Sequence, residues 1–493
     1  MAVANEGCEA VSGGEKPLGL KNAADEKSSP RSGFINSRSM GSWLARLPSM
    51  LPWIFLLLGT PTLIFLSVCT PPFQSPDEVA HFERSYQISC GGLYGGSGGY
   101  VDRGIDEVLS HYSQLRFSTK GRVTSTDEAA SASVRWTGQT VYRTFANTAV
   151  YPPTGYFLQA LGVALGRITG LSVVNTLILS RLLNGSFAII ISALALYWCR
   201  RGKLVMFALL LMPMTMSLFG SCSQDASLIS ITCLAFSLVS RQISEGFPLS
   251  LRMTIVLASA LLIVSLGRPP YVVLLLVLLI PGLLPRWGKK PAWLAGLSLA
   301  GLLTILIFIW WLAAYSSTKV APRTDYGTAN VRMQILHIFH HPGVLPAVMR
   351  GESHHIHIYA AGLIGILGKL NTPMPLPYYV VMGLMLLVAM TGEMVYRSRL
   401  RISATVFILF ATLSAVAGVF LTEYLTWTPV GSRILEGFQG RYLIPLVIAG
   451  SIGLPRLIPS ERGYRLSTAV VVLCQLLTFF YLPKVIIDRY YLR

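Results

Sequence analysis

LPWIFLLLGTPTLIFLSVC, residues 51–69, is a continuous apolar run, and TPPFQSPDEVAHFER, residues 70–84, follows it with prolines and charges. A helix needs roughly 20 apolar residues to cross a bilayer, so the first stretch reads as a membrane span and the second as the chain leaving it. Pro71 and Pro72 end the helix at that exit, since proline lacks the N–H the ladder needs and restricts the residue before it.

The rest of the chain repeats the apolar theme. Of 493 residues, 53% are hydrophobic and only 13% charged, and the mean hydropathy is +0.56, too apolar for a water-soluble protein. Further apolar runs lie at about 173–198, 204–219, 226–240, 251–266, 271–284, 293–315, 378–396, 402–421, 442–457 and 466–482. Together they predict an all-α polytopic membrane protein with about eleven transmembrane helices. Residues 1–50, rich in Gly, Ser, Lys and Glu, read as a disordered cytoplasmic tail. They are not a signal peptide, because the apolar stretch comes too late and no small-residue cleavage site follows it. The membrane domain then covers 51–493, with polar extramembrane loops at 70–150 and 316–376.

Charge distribution orients this array. The formal charge is +18, which in a soluble protein would raise nucleic-acid binding. Here the basic residues fill alternate short connections: Arg200–Lys203, Arg241–Arg252, Arg286–Lys290, Arg397–Arg401 and Arg456–Arg465. The intervening connections Gly220–Asp225 and Gly267–Pro270 carry almost none. The positive-inside rule puts the basic set in the cytoplasm and the large loop after the first span outside.

The outer side gathers the polar residues that a span does not need. Asp77, Glu78, His81 and Arg84 follow the first span; with Ser75 or Asp77 as cap, Asp77, His81 and Arg84 share one face of a short helix. A carboxylate fixed there beside His and Arg suits a general base, and equally suits a cap with helix-face ion pairs. Tyr151 and Tyr156 close the large loop. Asp225 ends the Ser221–Asp225 turn, Arg268 and Tyr271 sit in an Arg-Pro-Pro-Tyr motif, and Gln439, Arg441 and Tyr442 in a Gln-Gly-Arg-Tyr motif. Arg181 lies inside an apolar run, where an ionisable group is costly and marks a polar cavity.

Other features carry less. Six of the eight histidines (His337, His340, His341, His354, His355, His357) fall in the 316–376 loop, which keeps a divalent metal open without supplying a full ligand set; residues 330–349 read as an interfacial helix. The seven cysteines show no paired spacing. The Gly91–Gly99 stretch lacks the Lys-Ser/Thr of a phosphate loop and reads as flexible.

The ordered set of motifs, from Pro71-Pro72-Phe73-Gln74-x-Pro76-Asp77-Glu78-x-x-His81 through Tyr151, Arg181 with Asn184, Ser221-x-Ser223-x-Asp225 and Arg268–Tyr271 to Gln439–Tyr442, resembles a bacterial family of polytopic membrane proteins. That family carries only a domain-of-unknown-function label and is similar to the GT-C class of glycosyltransferases. The resemblance runs from about Leu51 to the end of the chain. It implies a GT-C-like many-helix fold, a polyprenyl-phosphate sugar donor, and an acidic base in the first outer loop, matching Asp77 best and Glu78 next.

The expectation is thus inverting transfer of a sugar from a polyprenyl-phosphate donor to a cell-envelope glycan or lipid-linked acceptor, in the bacterial cytoplasmic membrane, at its outer face. Asp77 would be the base. Arg268, Arg441 and Arg181 would face the leaving phosphate, and Tyr151, Tyr156 and Tyr271 the sugar. Membrane lipids and the two substrates are the expected partners, with no nucleic acid. The alternative is a transporter or flippase of a lipid-linked glycan, which would place its polar groups near the midplane and show an inverted repeat.

Overall fold

The computed structural model describes residues 37–117, 119–285, 292–317, 329–395 and 401–492. The tail expected over 1–50 and the basic connections 286–290 and 397–400 therefore lie wholly or partly outside the described residues. Among the described residues seven helices are long and apolar enough to cross a membrane: Leu44–Cys69, Val173–Trp198, Asp225–Glu245, Trp293–Ser317, Leu376–Met394, Ile402–Thr426 and Glu461–Tyr490. Each coincides with an expected apolar run. The first begins ahead of Leu51, so the end of the expected tail is helical.

The other four runs are short or broken segments rather than single long helices, so the structure bears out seven of the about eleven expected spans as long helices. The 204–219 run divides into Lys203–Leu210 and Pro213–Phe219, broken where Pro213 cannot donate to the preceding turn. Leu251–Gly267 has 17 residues. Pro269–Leu279 is an 11-residue 3₁₀ helix, whose rise of ~2.0 Å per residue carries it about 22 Å, farther than an α-helix of that length. The 442–457 run yields only Ile444–Ser451 after a 3₁₀ turn at Gly440–Leu443. A further apolar helix, Phe157–Ile168, sits before the second long one.

The described basic connections, and the residues that flank the others, converge on one end of the bundle. Arg200 pairs with Glu245 at 3.3 Å, Arg201 donates to the Leu454 carbonyl at 2.7 Å, and the amides of Leu249 and Leu457 reach the Leu283 and Met394 carbonyls. The helix Asp225–Glu245, 21 residues and so about 30 Å long, runs from this end to the one holding Asp225 and the polar motifs. The helix Trp293–Ser317 lies on the outside, with Leu302, Ile305, Phe308, Ile309 and Leu312 all exposed, a surface suited to lipid.

The loop after the first helix is ordered. Helix Glu78–Ser89 precedes an antiparallel hairpin of Gly98–Asp102 with Thr140–Thr144. The glycine stretch expected to be flexible is built into it: a Cβ on Gly98 would stand 1.9 Å from the Arg143 carbonyl oxygen, and one on Gly95 2.2 Å from that of Ala149. The end of the last helix fastens this loop. The amide of Val123 donates to Tyr490 O at 2.8 Å, Arg489 donates to Gly121 O at 2.8 Å, and the Tyr491 hydroxyl reaches Cys69 O at 3.0 Å.

In the second expected loop, helices Val331–His340, Val344–Glu352 and Ile356–Ile364 lead into a small hairpin, Ile366–Leu367 with Thr372–Pro373. Asn330 caps the first of them through Met333 N. The helix expected over 330–349 is thus broken at 341–343, and its first part exposes Met333, Ile335, Leu336 and Phe339.

Candidate active site

The Pro71–Asp77 segment leaves the first helix as a tight turn in which Phe73 and Asp77 both adopt left-handed backbone angles, φ 62° and 56°. For residues other than glycine this costs on the order of 1–3 kcal/mol each and persists where packing enforces it. Buried Phe73 stacks near Phe82, their ring centroids 5.7 Å apart. Asp77 stands at the N-cap of helix Glu78–Ser89, yet its side chain makes no capping bond. Instead Asp77 Oδ2 accepts from Arg441 Nη2 at 2.7 Å, and the carboxylate is 46% exposed.

Arg441 leads to a second acid. Its Nη1 lies 3.6 Å from Asp225 Oδ2, while Arg268 Nη2 donates to Asp225 Oδ1 at 3.0 Å. The Arg268 guanidinium lies over the Tyr442 ring, 3.9 Å from its centroid, a cation–π contact. Two carboxylates and two guanidiniums from four distant motifs thus form one alternating chain. Tyr271 joins it by donating its hydroxyl to Tyr442 O at 2.6 Å.

Local sequence explains each placement. Asp225 opens its helix after the turn Ser221–Gln224, which Asn184 holds through Ser221 O and Ser223 O at 3.0 and 2.9 Å, and Gln159 through Ser223 O at 3.0 Å. Arg268 is extended ahead of Pro269, as a pre-proline residue prefers. Gly440 fits where a Cβ would stand 2.0 Å from Tyr359 O, so only glycine lets Gln439 and Arg441 lie this close to helix Ile356–Ile364.

The remaining sequence candidates hold the architecture. Glu78 is fully enclosed, gripped by Arg181 through Nε and Nη2, each at 2.7 Å, and by Cys222 N at 2.9 Å. Arg181 spends its other donors on Ser67 O, Thr70 O and Pro71 O, so all five N–H groups are occupied. Arg84 is buried and donates to Gly92 O, Leu93 O and Tyr151 O, tying the glycine stretch to the Tyr151 backbone. His81 Nδ1 meets the Tyr156 hydroxyl at 2.7 Å. Burial holds the His81 ring below its ordinary pKa and pushes the Tyr156 hydroxyl well above its own, so both are neutral at neutral pH.

Asp77 opens into a cavity of about 290 Å³ shared with Arg268, Gln439, Tyr442 and Tyr151. Its far wall comes from two helices, with Trp311 and Tyr315 on one and Glu423 and Thr426 on the other. Arg441, whose side chain is only 3% exposed, stands behind Asp77. Glu423 and Trp311 were not singled out from sequence. The signal for Glu423 was the one applied to Arg181, an ionisable residue inside an apolar run. Among the described residues no group of three or more His, Cys, Asp or Glu is placed to hold a metal ion; His337 and His341 contact each other, and His355 contacts Glu352.

The profile of a family described as "Predicted membrane protein (DUF2142)" matches residues 62–449, a stretch containing all four members of the charge chain. Comparison with curated proteins and with solved structures gives no match.

Proposed function

The chain belongs to the DUF2142 family of predicted membrane proteins, and from that premise and the setting of Asp77 we propose that it is a GT-C-type membrane glycosyltransferase. Its donor is a polyprenyl-phosphate-linked sugar, its acceptor a cell-envelope glycan or lipid-linked hydroxyl compound, and its site faces outward from the bacterial cytoplasmic membrane. The acceptor oxygen attacks the anomeric carbon and gives its proton to Asp77. The bond from that carbon to the phosphate oxygen breaks, its electron pair leaving with polyprenyl phosphate, and configuration inverts.

The observation carrying this reading is that Asp77, held in an unfavourable backbone conformation and doing no capping, shares a cavity with the Arg268 guanidinium. Arg268 is the group to meet the leaving phosphate. Arg441 is a positioning residue, orienting Asp77 from behind. Tyr151, Tyr442 and Trp311 offer ring faces to a sugar, and Glu423 an acceptor for its hydroxyls.

Two further points support the outward, lipid-linked assignment. The basic connections among the described residues gather at the opposite end of the bundle, which favours reading this end as the outer one, away from soluble nucleotide sugars. The cavity also borders helix Trp293–Ser317, whose outer surface is apolar and exposed. On this reading the four short or broken segments complete about eleven crossings. A transporter or flippase would set its charges midway along the bundle, whereas these cluster at one end of helix Asp225–Glu245. The test is to assay purified protein in lipid for consumption of polyprenyl-phosphate sugars, with Asp77→Asn as control. Equal consumption by both proteins sinks the proposal.

A further inference from the structure

Asp77 borders a second cavity. It measures about 300 Å³ and is lined by Ser75, Asp77, Val79, Lys369, Leu370 and Gln439 among others. Both cavities lie at the lower end of the range for small-molecule sites, about 300–1,000 Å³. Their linings overlap only at Asp77 and Gln439, so these two side chains form the partition. Gln439 Oε1 is buried and has no hydrogen-bond partner among the described residues, which leaves an unused acceptor at that partition.

The two cavities differ in what surrounds them. The first takes Trp311, Tyr315, Val419 and Glu423 from long apolar helices. The second takes nothing from any helix of membrane-crossing length; its walls are the turn and helix start at Ser75–Ala80 and the hairpin turn at Lys369 and Leu370. That turn is fixed. Gly368 and Leu370 are both left-handed, φ 63° each, and a Cβ on Gly368 would stand 2.8 Å from the Tyr490 hydroxyl.

We propose that the two cavities are separate substrate entrances: the helix-lined one takes the phosphorylated lipid donor, and the one over Lys369 and Leu370 takes the acceptor from water. This rests on the glycosyl-transfer reading above and adds the acceptor's route and chemistry. The acceptor is a water-facing, hydroxyl-bearing glycan, met by the polar lining of Ser75, Asp77, Lys369 and Gln439. Its oxygen gives its proton to Asp77 and reaches the anomeric carbon on the face opposite the donor phosphate, as inversion requires.

Thiol labelling in lipid nanodiscs tests this without knowing the acceptor. Cys8 and Cys90 are changed to serine, and Leu370→Cys or Thr426→Cys is introduced, with Lys369→Cys as second reporter should Leu370→Cys not fold. A charged, membrane-impermeant thiol reagent is applied with and without decaprenyl phosphate. Decaprenyl phosphate should slow labelling at Thr426→Cys several-fold and leave the second-cavity cysteine reactive at its original rate. Equal protection of both, or protection of the second cavity alone, overturns the two-entrance proposal while leaving a lipid-binding site. Protection of neither removes the lipid-donor reading itself, and this proposal with it.

Discussion

Arg441 Nη2 lies 2.7 Å from Asp77 Oδ2, joining residues 364 positions apart in the sequence into an ion pair at the mouth of a cavity. The contact makes the orientation of the first loop depend on the Gln-Gly-Arg-Tyr motif near the far end of the chain. Asp77→Asn keeps the size and much of the hydrogen bonding of the side chain but cannot take a proton. It should lower turnover by on the order of 10²-fold or more with the melting temperature little changed. Turnover and thermal unfolding, measured on the same preparation, check this; wild-type turnover excludes Asp77 as the base.

Glu78, its neighbour, should behave in the opposite way. Removing one partner of a buried, fully bonded ion pair costs on the order of 3–5 kcal/mol, so Glu78→Ala and Arg181→Ala should lose folded protein. Size-exclusion profiles and yield after membrane extraction report it. A well-folded Glu78→Ala protein lacking only activity would contradict the structural role.

Arg268 contacts both Asp225 and the Tyr442 ring, geometry that lysine does not reproduce. Hydrogen bonds to charged groups contribute about 1.5–3 kcal/mol each. Arg268→Gln should therefore raise the KM for a polyprenyl-phosphate donor by about 10-fold or more, and Arg268→Lys should recover only part of it. Steady-state kinetics at varied donor decide the matter, and unchanged KM in both variants removes Arg268 from phosphate binding.

Glu83, on the inward side of helix Glu78–Ser89, is pushed up by burial to about 7, with Arg143 opposing and Asp106 adding to the shift. Between its ordinary value of 4.5 and 7 the folded state holds a proton that the unfolded chain has lost. This contribution to stability is therefore greatest at low pH and fades as pH rises to 7. His81, held low by burial, acts with the opposite sign below its ordinary 6.5, so the comparison must be with a variant. Glu83→Gln should melt higher than wild type above pH 7, by on the order of a few °C, and the difference should shrink toward pH 5. A pH-independent difference rejects the assignment.

Long apolar runs were legible in the sequence because length and composition alone decide them, and seven became single helices. What the sequence hid was continuity. Pro213 splits one run, and Arg268-Pro269-Pro270 starts a 3₁₀ helix, and hydropathy cannot distinguish either from an α-helix. The site motifs were legible as a set expected at one end of the bundle, but not as partners. Asp77 and Glu78 look interchangeable in sequence; only packing reveals that Arg181 encloses one while Arg441 presents the other to the cavity. Glu423 stayed hidden because it sits alone in an apolar run, its relevance set by helices brought together from elsewhere. The glycine stretch misled for the same reason, since the neighbours that exclude a Cβ come from residues 143–149.

The bond from the Tyr491 hydroxyl to Cys69 O also carries arithmetic. It brings the exit points of the first and last long helices to the same face, so the chain must traverse the bilayer an even number of times between them. Counted over the described residues from the first long helix to the last, the crossings are therefore odd in number, whichever of the shorter segments pass through, and a reporter fused after residue 492 should emerge beside the loop that follows the first helix.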